Sequence, residues 1–179
     1  CSSDLLPKLD PMADKWGLTG GVVTAVDLLR GLAVLTGLQA PNVEGATGFL
    51  DTNYEGKVEA ALRLLDHGNF AYLHIEAPDE CGHMGNPSLK TKAISDFDEK
   101  VMGPVLAYQK EHPDVRVLVL PDHPTPCAIK THSHEPVPFV FFYDGIEKKT
   151  DGQYYTEQEA GQSGLSFSYP WELLRYVLQ

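Results

Sequence analysis

Basic residues are scarce in this 179-residue chain: 14 Lys and Arg stand against 25 Asp and Glu, a formal charge of −11. A surface of that sign does not hold a phosphate backbone by charge neutralisation, so nucleic acid is excluded as a partner. Cysteine is scarce too. Cys1, Cys81 and Cys127 are an odd number without CxxC spacing, so neither a disulfide framework nor a zinc ribbon is expected, and they read as reduced thiols. Long apolar runs are missing: Leu28 to Leu35 and Pro138 to Tyr143 fall far short of the roughly 20 residues that cross a bilayer, so no membrane association is expected. The opening Cys1-Ser2-Ser3-Asp4 has neither a basic start nor an apolar signal core, which makes a cytoplasmic location the expectation. With no Gly/Ser or Pro tract, 42% hydrophobic and 22% charged residues describe one ordinary globular domain over residues 1–179.

What is present alternates between strand and helix. Gly20-Gly-Val-Val is a strand, and Ala25 to Thr36 carries Leu28, Leu29, Leu32 and Leu35 at helical spacing. Asn53 is an N-cap for a helix bearing Val58, Leu62 and Leu65, which His67-Gly68 ends. Phe70 to Glu76 is the next strand. Ser88 to His112 reads as a long amphipathic helix with Ile94, Phe97, Val101, Val105 and Tyr108 on one face, kinked at Gly103-Pro104. Val115 to Leu120 is a strand, as is Pro138 to Tyr143, whose apolar character predicts burial on both faces within a parallel or mixed sheet. Trp171 to Leu178 closes the chain as a helix. The alternation predicts an α/β sandwich.

In open α/β sheets, ligands gather at the carboxyl ends of strands. Three polar clusters fall near strand ends: Asp79-Glu-Cys-Gly-His83, Asp122-His123 and His132-Ser-His134. Carboxylate and imidazole together are donors suited to zinc or manganese. If Asp79 to His83 is one helical turn, its two end residues share a face and can grip one ion. The competing reading makes such groups helix caps and surface pairs. His67 and His112, each beside Gly or Pro at a helix end, fit that reading, and His74, inside a strand, reads as a hydrogen-bonded core histidine. An extended backbone turns His132 and His134 to the same side, so periodicity does not choose between them.

The segments Gly45-Ala-Thr-Gly-Phe-Leu-Asp-Thr-Asn-Tyr-Glu-Gly-Lys57, His74-Ile-Glu-Ala-Pro-Asp-Glu-Cys-Gly-His83, Asp122-His-Pro-Thr-Pro-Cys127 and His132-Ser-His-Glu-Pro-Val-Pro138 closely resemble, in order and spacing, the cofactor-independent phosphoglycerate mutases of the archaeal type. The resemblance runs from about Leu18 to Tyr143. It implies an alkaline phosphatase-like, three-layer α/β/α core with a mostly parallel sheet, and two divalent metal ions, Mn2+ or Zn2+. It also implies that Asp79 and His83 hold one metal with His132, that Asp122 and His123 hold the other, and that Lys15 binds substrate. Lys57 and Lys130 resemble substrate lysines less, and His134 becomes a neighbour of the site. The implied reaction interconverts 3-phosphoglycerate and 2-phosphoglycerate through a phosphoserine.

The family places that serine and a further Asp ligand near the start of a longer chain. Here Leu6-Pro-Lys-Leu-Asp-Pro-Met precedes Gly20 with no strand ending in Asp, and Ser88, Ser95 and Ser133 do not stand in the nucleophile's context. The expectation is therefore a C-terminal part of a mutase-like chain, inactive alone, whose partners are a small phosphorylated metabolite and the remainder of its parent chain. Two alternatives stay open. Relatives proposed to phosphorylate homoserine would share the metals and differ in acceptor, and a metal-stabilised interaction domain would have no catalysis.

Overall fold

In the computed structural model, which describes residues 8–146 and 154–179, Gly20–Val23 forms strand β1 and Phe70–Leu73 forms β2. They pair in parallel, Gly20 opposite Phe70 and Val23 opposite Leu73. Glycine is required where they meet: Gly20 has φ +143°, and a Cβ there would overlap the Phe70 carbonyl oxygen at 1.8 Å. Helix α1 spans Met12–Trp16, α2 Asp27–Leu35 and α3 Tyr54–Leu64. Successive residues of β1 point to opposite faces. Val23 packs on Ala60, Ala61 and Leu64 of α3, and Val22 on Ala33 of α2 and on Leu38. The strands are thus covered by a helix on each side, which is the expected α/β layering.

Asn53 caps α3 as expected, its side chain accepting from the Gly56 amide at 2.9 Å. The apolar stripe on α2 does not behave as expected. Leu28 is 70% exposed and Leu32 40%, whereas Ala33 is buried, because the short side chain is the one that meets β1. The long helix is three pieces: α5 Pro87–Phe97, a π-helical turn Asp98–Met102, and α6 Gly103–Glu111. Pro104 has no amide proton for the Lys100 carbonyl, and the Gly103 amide instead reaches the Asp98 carbonyl five residues back. Ile94 ends up exposed, while Val101 is buried with Tyr54 and Val58.

Val117–Val119 forms β3 and Val140–Phe142 forms β4, and they pair antiparallel. Among the described residues no ladder joins β2 to β3, so the strands form one parallel and one antiparallel pair. Val140 is exposed and both phenylalanines are half-buried, so β4 is not buried on both faces. Its cover is Tyr176 of the closing helix, whose ring stands 6.2 Å from that of Phe141. Two helices, α7 Glu157–Gln162 and α8 Pro170–Leu178, end the chain. Cys81 is a buried free thiol and Cys127 a half-buried one; Cys1 and the leader as far as Pro7 lie outside the described residues. No helix among the described residues is long and apolar enough to cross a membrane.

Candidate metal centre

Three residues after β2 the chain enters helix α4, Ala77–His83, with Pro78 in its first turn, where a missing amide proton costs nothing. One turn separates Asp79 from His83, and the two share a face. His83 Nε2 lies 3.3 Å from Asp79 Oδ2. The segment after β3, stiffened by Pro121, Pro124 and Pro126, runs back over α4 and brings in His132. His132 Nε2 stands 3.1 Å from His83 Nε2 and 3.4 Å from Asp79 Oδ1. Two nitrogens and a carboxylate therefore face one point.

The protons on His83 can be placed. Its Nδ1 is 3.1 Å from the Lys130 carbonyl, which only accepts, so Nδ1 carries a hydrogen and, in the neutral ring, Nε2 presents its lone pair. Lys130 is the one non-glycine among the described residues with left-handed backbone, φ +55°. Nitrogens about 2.0–2.1 Å from one tetrahedral ion stand roughly 3.3 Å apart, so the donor types and their spacing fit a divalent cation.

Asp122 and His123 lie alongside. His123 Nε2 is 3.4 Å from Asp122 Oδ2, and the His123 ring stacks on that of His132 with centroids 3.6 Å apart. Asp122 is exposed, and these two residues form no set of three donors among the described residues. All five residues read from the sequence thus gather within one neighbourhood, with three tightly clustered and two beside them. Lys15 is not brought there. It is exposed on α1, two residues before Gly17, whose carbonyl accepts from Asn69 at the amino end of the β1–β2 pair, the end opposite α4. His134 is exposed. His74 is half-buried, with Nδ1 3.1 Å from Thr24 Oγ1, and burial pushes its ring below the usual imidazole range. His112 bonds the Tyr108 carbonyl at 2.9 Å and closes α6.

One contributor escaped the sequence reading. Thr125, 3% exposed, bonds both Asp79 and His123. Its only signal is a hydroxyl between two prolines, two positions after His123. Lys57, 1% exposed, donates to the Thr47 carbonyl at 2.8 Å, and burial pulls its ammonium below the usual range. The neighbouring Glu76 carboxyl is pushed up by burial and then by Glu80 and Asp79, while Lys57 opposes the rise. A cavity of about 230 Å³ lined by Leu50, Ala77, Cys81 and Met84 lies on the other face of α4 from Asp79 and His83.

Comparison with known proteins identifies the family. Residues 4–166 match the metalloenzyme superfamily. A Geobacter sulfurreducens protein named as a probable 2,3-bisphosphoglycerate-independent phosphoglycerate mutase is 47% identical over 96% of this chain and 43% of its own length. The 2,3-bisphosphoglycerate-independent phosphoglycerate mutase of Methanothrix thermoacetophila is 49% identical over 78% of this chain and 36% of its own length. Among solved structures, a Pyrococcus horikoshii protein superposes with a TM-score of 0.79 at 31% identity, covering 87% of this chain and 46% of that one. The cofactor-independent phosphoglycerate mutase of Thermoplasma acidophilum superposes with a TM-score of 0.66 at 25% identity, covering 89% and 36%. The chain spans about two-fifths of the length of the curated relatives it matches. The resemblance carried by the four segments is borne out, and the chain belongs to the metalloenzyme superfamily.

Proposed function

We propose that this member of the metalloenzyme superfamily is the metal-holding α/β part of a cofactor-independent phosphoglycerate mutase, an isomerase of glycolysis and gluconeogenesis that interconverts 3-phosphoglycerate and 2-phosphoglycerate in the cytoplasm. The observation that carries the reading is the convergence of Asp79, His83 and His132 on one point, from segments about fifty positions apart, in a chain whose relatives bear that name. Asp79, His83 and His132 hold one divalent ion, and Asp122 and His123 contribute to a second. The donor set of oxygen and imidazole nitrogen, without thiolate, suits Mn2+ or Zn2+. When bound, such ions neutralise phosphoryl oxygens and lower the pKa of a hydroxyl.

The chain's own residues prepare that chemistry. Lys130 holds His83 in the tautomer that can ligate, and Asp122 offers an exposed carboxylate. The nucleophilic serine and most of the acceptor pocket belong to the remainder of the parent chain, so residues 1–179 alone do not transfer phosphoryl groups. Lys15 has no part in the set assembled here. Two divalent ions add about four positive charges locally, which reconciles an acidic chain of net charge −11 with a phosphorylated substrate.

Elemental analysis of the chain after equilibration with Mn2+ or Zn2+ tests the ligand set: Asp79→Ala and His83→Ala are expected to lose the metal, and wild-type metal content in both variants overturns the assignment. The parent protein, assayed with 3-phosphoglycerate and with homoserine as acceptor, is expected to turn over only the former. Activity on homoserine alone overturns the substrate.

A further inference from the structure

Thr125 has one hydroxyl proton and two polar neighbours, and their chemistry decides where the proton goes. The Asp79 carboxylate accepts only, so the hydroxyl donates to Asp79 Oδ1. Its other neighbour, His123 Nδ1 at 3.2 Å, must then donate to the hydroxyl oxygen. In the neutral ring that places the hydrogen of His123 on Nδ1 and leaves the Nε2 lone pair bare, and Nε2 is the atom 3.4 Å from Asp122 Oδ2. The same arrangement fixes His83, with the Lys130 carbonyl in place of a hydroxyl. Thr125 is itself held rigidly: its carbonyl accepts from Lys90 Nζ at 2.6 Å, and its methyl sits where a Cβ on Gly82 would come within 2.9 Å.

We propose that Thr125 is a positioning residue that ties the two candidate metal seats together, accepting from His123 Nδ1 while donating to Asp79, so that one hydroxyl orients a ligand of each seat. The role rests on the metal-binding reading of the site. Thr125 touches no ion. It acts through the carboxylate it aims and the tautomer it selects, and outer partners of this kind are worth about 10–100-fold in metal affinity.

The test compares Thr125→Val, which keeps the shape and loses the hydroxyl, with Thr125→Ser, which keeps the hydroxyl. Nitrogen-15 spectra of the metal-free chain, recorded above the imidazole titration range, are expected to show His123 protonated on Nδ1 in the wild type and in Thr125→Ser. In Thr125→Val the Nε2–H form should gain. Titration with Mn2+ is expected to show affinity about 10–100-fold weaker in Thr125→Val and restored in Thr125→Ser. Asp79→Ala separates the two claims. If that variant binds Mn2+ like the wild type, the metal reading fails, whatever the ring spectra show. If it loses Mn2+ while Thr125→Val keeps wild-type affinity, the positioning role is overturned. A wild-type His123 found in the Nε2–H form also overturns it, and that measurement needs no variant to fold.

Discussion

Replacing Gly82 by alanine sets two effects of known size against each other. Gly82 is buried in α4 between Cys81 and His83, and helix propensity alone favours Ala over Gly by about 1 kcal/mol. Packing opposes it. A Cβ at Gly82 would lie 2.4 Å from the Thr125 carbonyl oxygen, 2.9 Å from its Cγ2 and 3.1 Å from its Cβ. Carbon contacts settle near 3.5–4.0 Å, so α4 and the 121–132 segment must part by about 1 Å. Overpacking of this kind costs about 1–3 kcal/mol. Parting also stretches the Thr125–Asp79 hydrogen bond, and bonds to charged groups contribute about 1.5–3 kcal/mol. The expected balance for Gly82→Ala is a loss of about 1.5–5 kcal/mol, with Tm falling about 2–4 °C for each. Gly31→Ala is the control, because Gly31 is exposed on α2 with nothing within 4 Å of the added carbon. It should gain about 1 kcal/mol and melt about 2–4 °C higher. The seat responds in parallel: donors 3.1–3.4 Å apart do not survive a displacement of about 1 Å, so Gly82→Ala should weaken Mn2+ binding by about 10-fold or more, and Gly31→Ala should leave it unchanged. Thermal melts by circular dichroism and Mn2+ titration decide it. A Gly82→Ala chain that melts at or above the wild type and binds Mn2+ normally would refute the close contact between helix and loop.

Two titrations probe the scaffold around the site. Asp96, 6% exposed, accepts from Lys92 at 2.7 Å and lies 3.1 Å from Lys100, and these bonds hold its carboxyl below the usual range. Folding then favours the charged form, so the stabilisation is complete above the unfolded value of about 3.9 and is lost as pH falls through the lower folded value. Urea midpoints should drop less on acidification in Asp96→Asn than in the wild type, and equal drops would show that the lysine pair contributes nothing. Tyr155 donates to the Pro138 carbonyl at 2.9 Å, and burial, aided by Glu157, pushes its phenol up to about 12. Folding favours the neutral phenol, so this contribution is intact below about pH 10 and fades as pH rises toward 12. Absorbance at 295 nm should show a late phenolate step that Tyr155→Phe removes; an unchanged curve in that variant rules it out.

What the sequence made legible follows from how local each signal is. Asn53 before an apolar helix, Asp79 and His83 one turn apart, and strand runs at Gly20 and Phe70 are decided within a few residues, and the structure shows each of them. Neither the surroundings nor the direction of β4 was legible: its apolar run predicted burial on both faces, yet Val140 is exposed, and the run says nothing of the strand beside it. The stripe on α2 misled for the same reason: Leu28, Leu32 and Leu35 mark a face that no other described residue covers at Leu28, whereas contact with β1 falls to Ala33.

The site lies at the other extreme. His83 meets Lys130 across 47 positions and His132 across 49, and Thr125 meets Asp79 across 46. These separations are nearly equal, so the contacts form together when the 121–132 segment closes on α4, and the loop entropy is lost once for all of them. No position within that segment has a helical or strand period to announce its partner. Which nitrogen of His83 and of His123 faces its partner depends on a carbonyl and a hydroxyl whose places exist only after closure. The donor types were therefore readable one by one, while their tautomers and their shared hydroxyl belong to the closed contact. Disturbing Gly82 or Thr125 should accordingly affect Asp79, His83, His123 and His132 as one unit.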